Sequence, residues 1–458
     1  MLRHLCGLDW GGLGCLALVL LTGHAWGAPA APNIVIVFAD DLGYGDLGCY
    51  GHPTIRTPRL DQMAAEGMRC TQFYSAAPVC SPSRAALLTG RYPVRSGMYG
   101  QRRVFFPEST GGIADDELTL AEALGKQGYR TAAVGKWHLG HLPQYLPTRH
   151  GFESYFGIPY SNDMGGEAGH GKLRNWPLTP LIRDLETIEE NPDQRLLTRR
   201  YTEAALKFIA ETTEPENKDR PFFLYLAHSM PHVPLFASDD FAGHSAAGPY
   251  GDVIEELDWS VGQILDQLNK LGLAQNTLVF FSSDNGPWIE QKQRGGSAGL
   301  LRQGKGSTWE GGMRVPGIFW WPGQIAPTVS MALASALDLF PTVLALAGAP
   351  APTDRPIDGR DLSGVLQRGE ASPRDSLLYY REGEVFAFRQ GPWKLHFKTQ
   401  KGYGQAKPET HDPPLLFHLE HDPAERFDLA KERPEIVTEL TKAAEAQQSE
   451  IAPGKPLF

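Results

Sequence analysis

Four places in the chain set chemistry-bearing side chains just after apolar, β-branched or aromatic runs. Asp40 and Asp41 follow Pro32-Asn-Ile-Val-Ile-Val-Phe38. Lys136 and His138 follow Thr131-Ala-Ala-Val134. His228 and His232 follow Phe222-Phe-Leu-Tyr-Leu-Ala227. Asp284 and Asn285 follow Thr277-Leu-Val-Phe-Phe281. Asp40, Asp41, Asp284 and Asn285 offer oxygen donors only, the set that suits a hard cation, Ca²⁺ or Mg²⁺. A single aspartate at a strand end also serves as a helix cap or turn former. The adjacent pair of Asp40 and Asp41 asks for more, because neighbouring carboxylates repel unless a cation lies between them.

The runs that precede these residues read as strands buried on both faces, and Gly317-Ile-Phe-Trp-Trp321 is a fifth. Helical patterns alternate with them: Pro58 to Glu66, Leu118 to Gln127, Gln194 to Glu211, Val253 to Leu271 and Ala334 to Ala347. Strands alternating with helices predict a mostly parallel sheet covered on both faces. Ligands of such open sheets sit outside the carboxyl ends of the strands, so four polar strand ends predict one site. Ala349 to Arg374 is rich in Pro, Asp and Gly and reads as a connector. Beyond it, Ser376 to Tyr380, Val385 to Phe388, Trp393 to Phe397 and Leu415 to Leu419 predict an antiparallel meander, and Pro434 to Gln448 a closing helix. The expected division is a signal peptide over 1–27, a catalytic domain over 28–374 and a small α+β domain over 375–458.

The chain has 458 residues, 41% hydrophobic and 21% charged, with a formal net charge of −10. This is an ordinary globular composition, and its acidity argues against nucleic acid as a general partner. Arg3 and His4 precede the apolar run Leu13 to Leu21, and Ala25-Trp26-Gly27 offers small residues for cleavage before Ala28. The run is short for a membrane span and reads as an export signal, with no stable membrane insertion expected. Removing it takes Cys6 and Cys15 away and leaves Cys49, Cys70 and Cys80. An exported chain could pair Cys49 with Cys70 and leave Cys80 alone. There is no Asn-x-Ser/Thr acceptor.

Cys80-Ser-Pro-Ser-Arg-Ala-Ala-Leu-Leu-Thr-Gly-Arg91 resembles the signature of the type I sulfatases. Asn33 to Asp46, Gly128 to Gly140, Ser283-Asp-Asn-Gly286 and Gly304 to Gly312 resemble further blocks of that family, in family order. Gly135-Lys-Trp-His-Leu-Gly-His141 and Phe417-His-Leu-Glu-His-Asp-Pro423 are similar to the branch of arylsulfatase A and N-acetylgalactosamine-6-sulfatase. The resemblance implies an alkaline-phosphatase-like α/β sandwich with a small C-terminal domain carrying an antiparallel sheet and a helix. It also implies that Cys80 is oxidised to formylglycine by a maturation enzyme, and that one Ca²⁺ is held by Asp40, Asp41, Asp284 and Asn285. Exported and lacking glycosylation acceptors, the chain reads as a periplasmic or secreted, bacterial member, acting on a sulfated sugar or aryl sulfate as in glycosaminoglycan degradation.

Residue roles carry over with the motifs. Arg84, one helical turn after Cys80, would hold the formylglycine hydrate and the metal cluster. Lys136 and Lys305 would meet sulfate oxygens as point charges. His138 would take the proton that lets the sulfated hydrate collapse and release sulfate, and His232 would protonate the leaving oxygen. Ser161 matches a substrate-pocket serine. His228 and His141 carry no firm role. A phosphate or phosphonate monoester hydrolase would share the fold, but it often uses two metals, and one carboxylate cluster is evident here. A non-catalytic glycan-binding relative would have lost a catalytic position, and none is lost. The specificity segments 162–176 and 291–301 cannot be read from sequence.

Overall fold

The computed structural model describes residues 31–166, 174–402 and 407–458. The expected export signal lies outside them. Strand β1 (Asn33–Ala39) lies inside a large sheet with β2 (Met68–Tyr74), β3 (Arg130–Gly135), β4 (Ser154–Gly157), β5 (Pro180–Arg183), β6 (Glu186–Glu190), β7 (Phe222–Ala227), β8 (Thr277–Ser283), β9 (Arg314–Trp320), β10 (Thr328–Ser330) and β11 (Ala334–Ser335). The order is β10-β2-β9-β8-β1-β7-β3-β4-β5-β6, with β11 beside β2. From β8 to β4 every pairing is parallel. β9 runs antiparallel to both its neighbours, as do β5 and β6 beyond β4.

Side chains alternate across a strand, and β1 feeds two separate cores. Ile34, Ile36 and Phe38 join a cluster with Leu87, Phe223, Phe280 and Phe340. Val35, Val37 and Ala39 join another with Leu60, Leu224, Tyr201 and Leu257. Helices α1 (Pro58–Glu66), α2 (Cys80–Thr89), α3 (Leu120–Gly125), α4 (Leu197–Glu211), α5 (Gly248–Lys270), α6 (Glu310–Met313), α7 (Leu339–Leu346) and α8 (Ser363–Arg368) follow in chain order. α1, α4 and α5 supply the second core, and α2, α3 and α7 the first. The expected sandwich with a mostly parallel sheet is therefore present, its antiparallel pairings confined to those of β9, β5 and β6.

The structure departs from the sequence reading in three places. The helix expected over Ala334 to Ala347 starts later, because Ser335 and Asp338 form a capping box and only Leu339–Leu346 is α-helical. β2 was not anticipated: Arg69, Thr71 and Gln72 interrupt its apolar residues, and its middle is only half-buried. Cys49, Cys70 and Cys80 are all free thiols, so the Cys49–Cys70 bridge is not formed. No helix among the described residues is long and apolar enough to cross a membrane.

At the C-terminal end, β12 (Ser376–Arg381), β13 (Glu384–Gln390), β14 (Trp393–Thr399) and β15 (Glu409–His418) form the expected antiparallel meander. Helix α9 (Pro434–Ser449) packs Val437, Leu440 and Ala444 into its core beside Tyr74 and Met313. This core contains a buried ionic network. Lys394 Nζ donates to Glu310 Oε1 at 2.9 Å and to the Thr308 carbonyl at 2.9 Å, and lies 3.1 Å from Glu425 Oε1. Glu425 also bonds the His396 ring at 2.7 Å and, through its other oxygen, accepts from the Glu310 N–H at 2.7 Å. Burial would raise the Glu310 carboxyl, but Lys394, Arg314 and Arg389 bring it down to about 2.

Removing one member of a buried pair strands the others without water. Lys394→Met is therefore expected to destabilise the protein by about 3–5 kcal/mol in urea unfolding. Lys398→Met, which breaks the exposed pair with Glu384, is expected to cost about 1 kcal/mol or less. Equal losses in the two variants would contradict this account of the network.

Candidate active site

Register brings the polar strand ends together. Ala39 lies opposite Ser283, Phe38 opposite Ala227, and Gly135 opposite Ala227. The next residues of β1, β3, β7 and β8 therefore emerge at one edge. Turning out of β3 requires Gly135: its φ is +104°, and a Cβ there would meet the Ala227 carbonyl oxygen at 1.9 Å. Asp41 and His138 also adopt left-handed backbone, at φ +67° and +61°. That conformation is uncommon for side-chain-bearing residues and tends to persist where surrounding contacts over-determine it.

Those contacts are ionic and buried. Lys136 Nζ donates to Asp40 Oδ2 at 2.5 Å. Lys305 Nζ donates to Asp41 Oδ2 at 2.8 Å, and Asn285 Nδ2 to Asp41 Oδ1 at 2.7 Å. Arg84 grips Asp284 Oδ2 through Nε at 3.0 Å and a terminal nitrogen at 2.8 Å, and its other terminal nitrogen donates to the Lys136 carbonyl at 3.0 Å. The Asp41 N–H donates to Asp284 Oδ1. Burial pushes the Asp40 carboxyl up, but Lys136, His232 and Arg84 outweigh it and hold the group below the ordinary value. Burial, with Asp40 alongside, pushes Asp284 up.

Helix α2 enters this cluster with Cys80 in its first turn. Val79 precedes it in extended backbone and makes no side-chain cap, so the first N–H groups keep their pull on an anion. Pro82 fits there because a first-turn residue needs no N–H donor. The Cys80 sulfur and carboxylate oxygens of Asp40 and Asp284 all lie within 4.8 Å of one another. Burial pushes the thiol up to about 12, against the pull of Lys136 and Lys305. As a plain cysteine it would be protonated at neutral pH, not a thiolate nucleophile.

Two histidines flank the cluster. The His138 Nε2 lies 2.9 Å from the Phe105 carbonyl and must carry the proton there, which leaves Nδ1 with a lone pair, buried and unpartnered. Burial, aided by Lys136 and Arg84, holds this imidazole well below its ordinary pKa. His232 donates Nδ1–H to the Val233 carbonyl at 2.6 Å, with Ser161 Oγ at 3.5 Å, and its Nε2 lies 3.6 Å from Asp41 Oδ2. Cys80, His138, Ser161, His232 and Lys305 line one pocket of about 160 Å³.

The oxygen donors fit a hard cation. Asp40 Oδ1 and Asn285 Oδ1 are buried with no hydrogen-bond partner, and the Asp40, Asp41 and Asp284 carboxylates converge beside the Asn285 amide, whose Nδ2 donates to Asp41. A cation resolves both the repulsion and the unpaired oxygens. Among the described residues, His232 is the imidazole whose nitrogen lies within 4.8 Å of the Asp40 and Asp41 oxygens.

A family model for sulfatases matches residues 32–349, and a model for the C-terminal region of aryl-sulfatase matches 372–458. The chain belongs to the sulfatase family. It is 45% identical to arylsulfatase A of Bos taurus, covering 94% of this chain and 89% of that protein. It is 43% identical to N-acetylgalactosamine-6-sulfatase of Mus musculus with the same coverage. Among solved structures, the PsFucS1 sulfatase from Pseudoalteromonas sp. superposes with a TM-score of 0.83 at 29% identity, covering 92% of this chain and 90% of that one. This sulfatase is thus a hydrolase of sulfuric esters.

The sequence-selected residues Asp40, Asp41, Cys80, Arg84, Lys136, His138, Ser161, His232, Asp284, Asn285 and Lys305 all meet at this site. Two histidines do not. His141 faces Tyr160 and lines a neighbouring cavity. His228 hydrogen-bonds Ser260 Oγ of α5 at 3.2 Å beside Tyr201, and burial takes its pKa down to about 3. Sequence reasoning missed the pocket walls, Phe106, Trp176 and Trp288 with Asp163 and Arg174. Asp163, Arg174 and Trp176 fall in the 162–176 segment whose roles could not be read from sequence, and Trp288 stands three residues after Asn285.

His228 is depressed in the folded state. Its contribution to stability is present above the unfolded pKa of about 6.5 and is lost as pH falls toward 3, because only the unfolded chain takes up the proton. His228→Gln is expected to lose stability less steeply than the parent between pH 6.5 and 4, by up to about 1.4 kcal/mol per pH unit. Parallel stability profiles would show that this imidazole does not remain neutral.

Proposed function

We propose that this sulfatase cleaves sulfate monoesters of a sugar or aryl alcohol with a formylglycine made from Cys80 and one Ca²⁺ held by Asp40, Asp41, Asp284 and Asn285. The family in general implies both groups. The observation that carries the reading is Cys80, at a helix N-terminus, within 4.8 Å of the Asp40 and Asp284 oxygens. The division into residues 28–374 and 375–458, export of the mature chain after loss of 1–27, and a bacterial periplasmic or secreted setting belong to the same proposal.

Bound there, the cation would offset the sulfate charge and polarise its oxygens. The hydrated aldehyde would supply one hydroxyl to attack sulfur and a second whose deprotonation frees sulfate. Lys136 and Lys305, now paired with Asp40 and Asp41, would turn to the sulfate oxygens once the cation takes those carboxylates. Arg84, with one terminal nitrogen on the Lys136 backbone and two nitrogens on Asp284, fixes residue 80 against the metal ligands. His138 Nδ1, with its lone pair, accepts the proton from the second hydroxyl. His232 has Nδ1–H committed to Val233, so Nε2 delivers the proton to the leaving oxygen. Ser161 orients the His232 ring.

Coexpression with a formylglycine-generating enzyme is expected to yield a residue-80 peptide lighter by about 18 Da than the cysteine form and reactive to aldehyde reagents. Cys80→Ala should abolish turnover. An unmodified thiol in protein that still hydrolyses sulfate esters would exclude the aldehyde.

If His232 is the general acid, its removal should matter most when the leaving group is basic. His232→Ala is expected to lower kcat by about 10²–10⁴ for an alkyl or sugar sulfate, and by much less for 4-nitrophenyl sulfate. A loss independent of leaving-group pKa would assign the residue to binding.

A further inference from the structure

The site floor accounts for the scissile sulfate. The upper pocket carries features that a lone sulfate does not use. Phe106 and Trp176 pack in a tilted pair with ring centroids 5.5 Å apart, and Trp288 lines the same pocket beside His232. Arg174 lies over this wall, its guanidinium carbon 5.1 Å from the Trp176 centroid and 5.7 Å from that of Phe106. A guanidinium stacked on aromatic rings keeps its N–H edge in the plane, open to a carboxylate or sulfate.

Arg102, which also lies over Phe106, is paired with Glu108 at 2.8 Å, and Glu108 accepts a further hydrogen bond from Trp176. Among the described residues, no carboxylate forms an ion pair with Arg174. Asp163 lines the same pocket, only 9% exposed, with Oδ1 lacking a hydrogen-bond partner. A buried carboxylate oxygen without a donor calls for one from the ligand, and a sugar hydroxyl or acetamido N–H supplies it. The pocket, at about 160 Å³, is smaller than the ~300–1,000 Å³ of sites that enclose a drug-sized molecule. It suits one ring rather than a chain threaded through it.

We propose that Arg174 is a specificity-determining residue that binds a second acidic group, carried by or adjacent to the sulfated sugar ring. This rests on the sulfatase reading above and names the substrate class as a multiply anionic glycan terminus. The second group can be a sulfate ester or a uronic carboxylate, since both present oxygens in a plane or fork that a guanidinium matches.

The test uses the full chain with formylglycine at residue 80 and follows turnover of 4-nitrophenyl sulfate. The competing ligands are N-acetylgalactosamine 6-sulfate, its 4,6-disulfate, and the 6-sulfate linked to glucuronic acid. The parent protein is expected to bind one of the two doubly acidic sugars at least about tenfold more tightly than the monosulfate, as one charge-assisted contact allows. The preferred sugar identifies the second group as sulfate or carboxylate. Arg174→Gln should bring the Ki ratio close to one, and Arg174→Lys should keep part of it. Equal Ki values in the parent, or a ratio unchanged by Arg174→Gln, would overturn the proposal. Failure to hydrolyse 4-nitrophenyl sulfate, with the aldehyde verified, would instead overturn the sulfatase mechanism beneath it.

Discussion

Three buried carboxylates, Asp40, Asp41 and Asp284, face three buried cations, Arg84, Lys136 and Lys305, at one edge of the sheet. Each charge would be costly to bury alone, by several kcal/mol after relaxation. Together they are tolerable only if no member moves. That requirement reaches into the fold. Parallel register must align the ends of β1, β3, β7 and β8, α2 must present Arg84 one turn below Cys80, and Asp41 and His138 must hold left-handed backbone. The pairing is poor as a stabiliser and effective as a positioning device, because a shift of one strand by one residue would leave charges unmatched in a dry site.

The C-terminal sheet extends the same constraint to the segment that carries Lys305. Four residues after Lys305, Trp309 packs against the His396 ring at 4.3 Å on β14, with Arg302 over its face at 3.8 Å. Glu310 begins α6 and is locked to Lys394 and Glu425. The meander therefore holds one wall of the site from behind, although it gives the pocket no residue beyond this support. A sheet with few site contacts can still set the position of a reacting group when a buried ion network leaves no soft degree of freedom between them.

Much of this was legible in the sequence because burial on both faces writes strands as unbroken apolar runs, and the residues that follow them stand out. β1, β7 and β8 were readable for that reason, and so were the four polar strand ends. β2 was not, since half-burial admits Arg69, Thr71 and Gln72 and hides the period. The helix expected from Ala334 was late because a capping box outweighs apolar pattern at a helix start. His228 was misleading by position: it follows β7 as the site residues follow their strands, yet its side chain enters the helical layer against Ser260. The aromatic wall and Arg174 escaped because loops from distant parts of the chain meet only after folding, and no local period marks them.

The burial that organises the site also restricts when it can be made. Every residue of α2 is buried, and Cys80 is 2% exposed. A small oxidant could reach its sulfur through the pocket, but the active site of another protein could not close around a residue in the first turn of a packed helix. On the proposed reading, enzymatic conversion of Cys80 would have to precede the docking of α2 on the sheet. A maturation enzyme acting on this segment would have to read Arg84 before it turns inward to Asp284. On the proposed reading the same side chain would serve two successive purposes, first as part of a recognition sequence and afterwards as the buried clamp on Asp284.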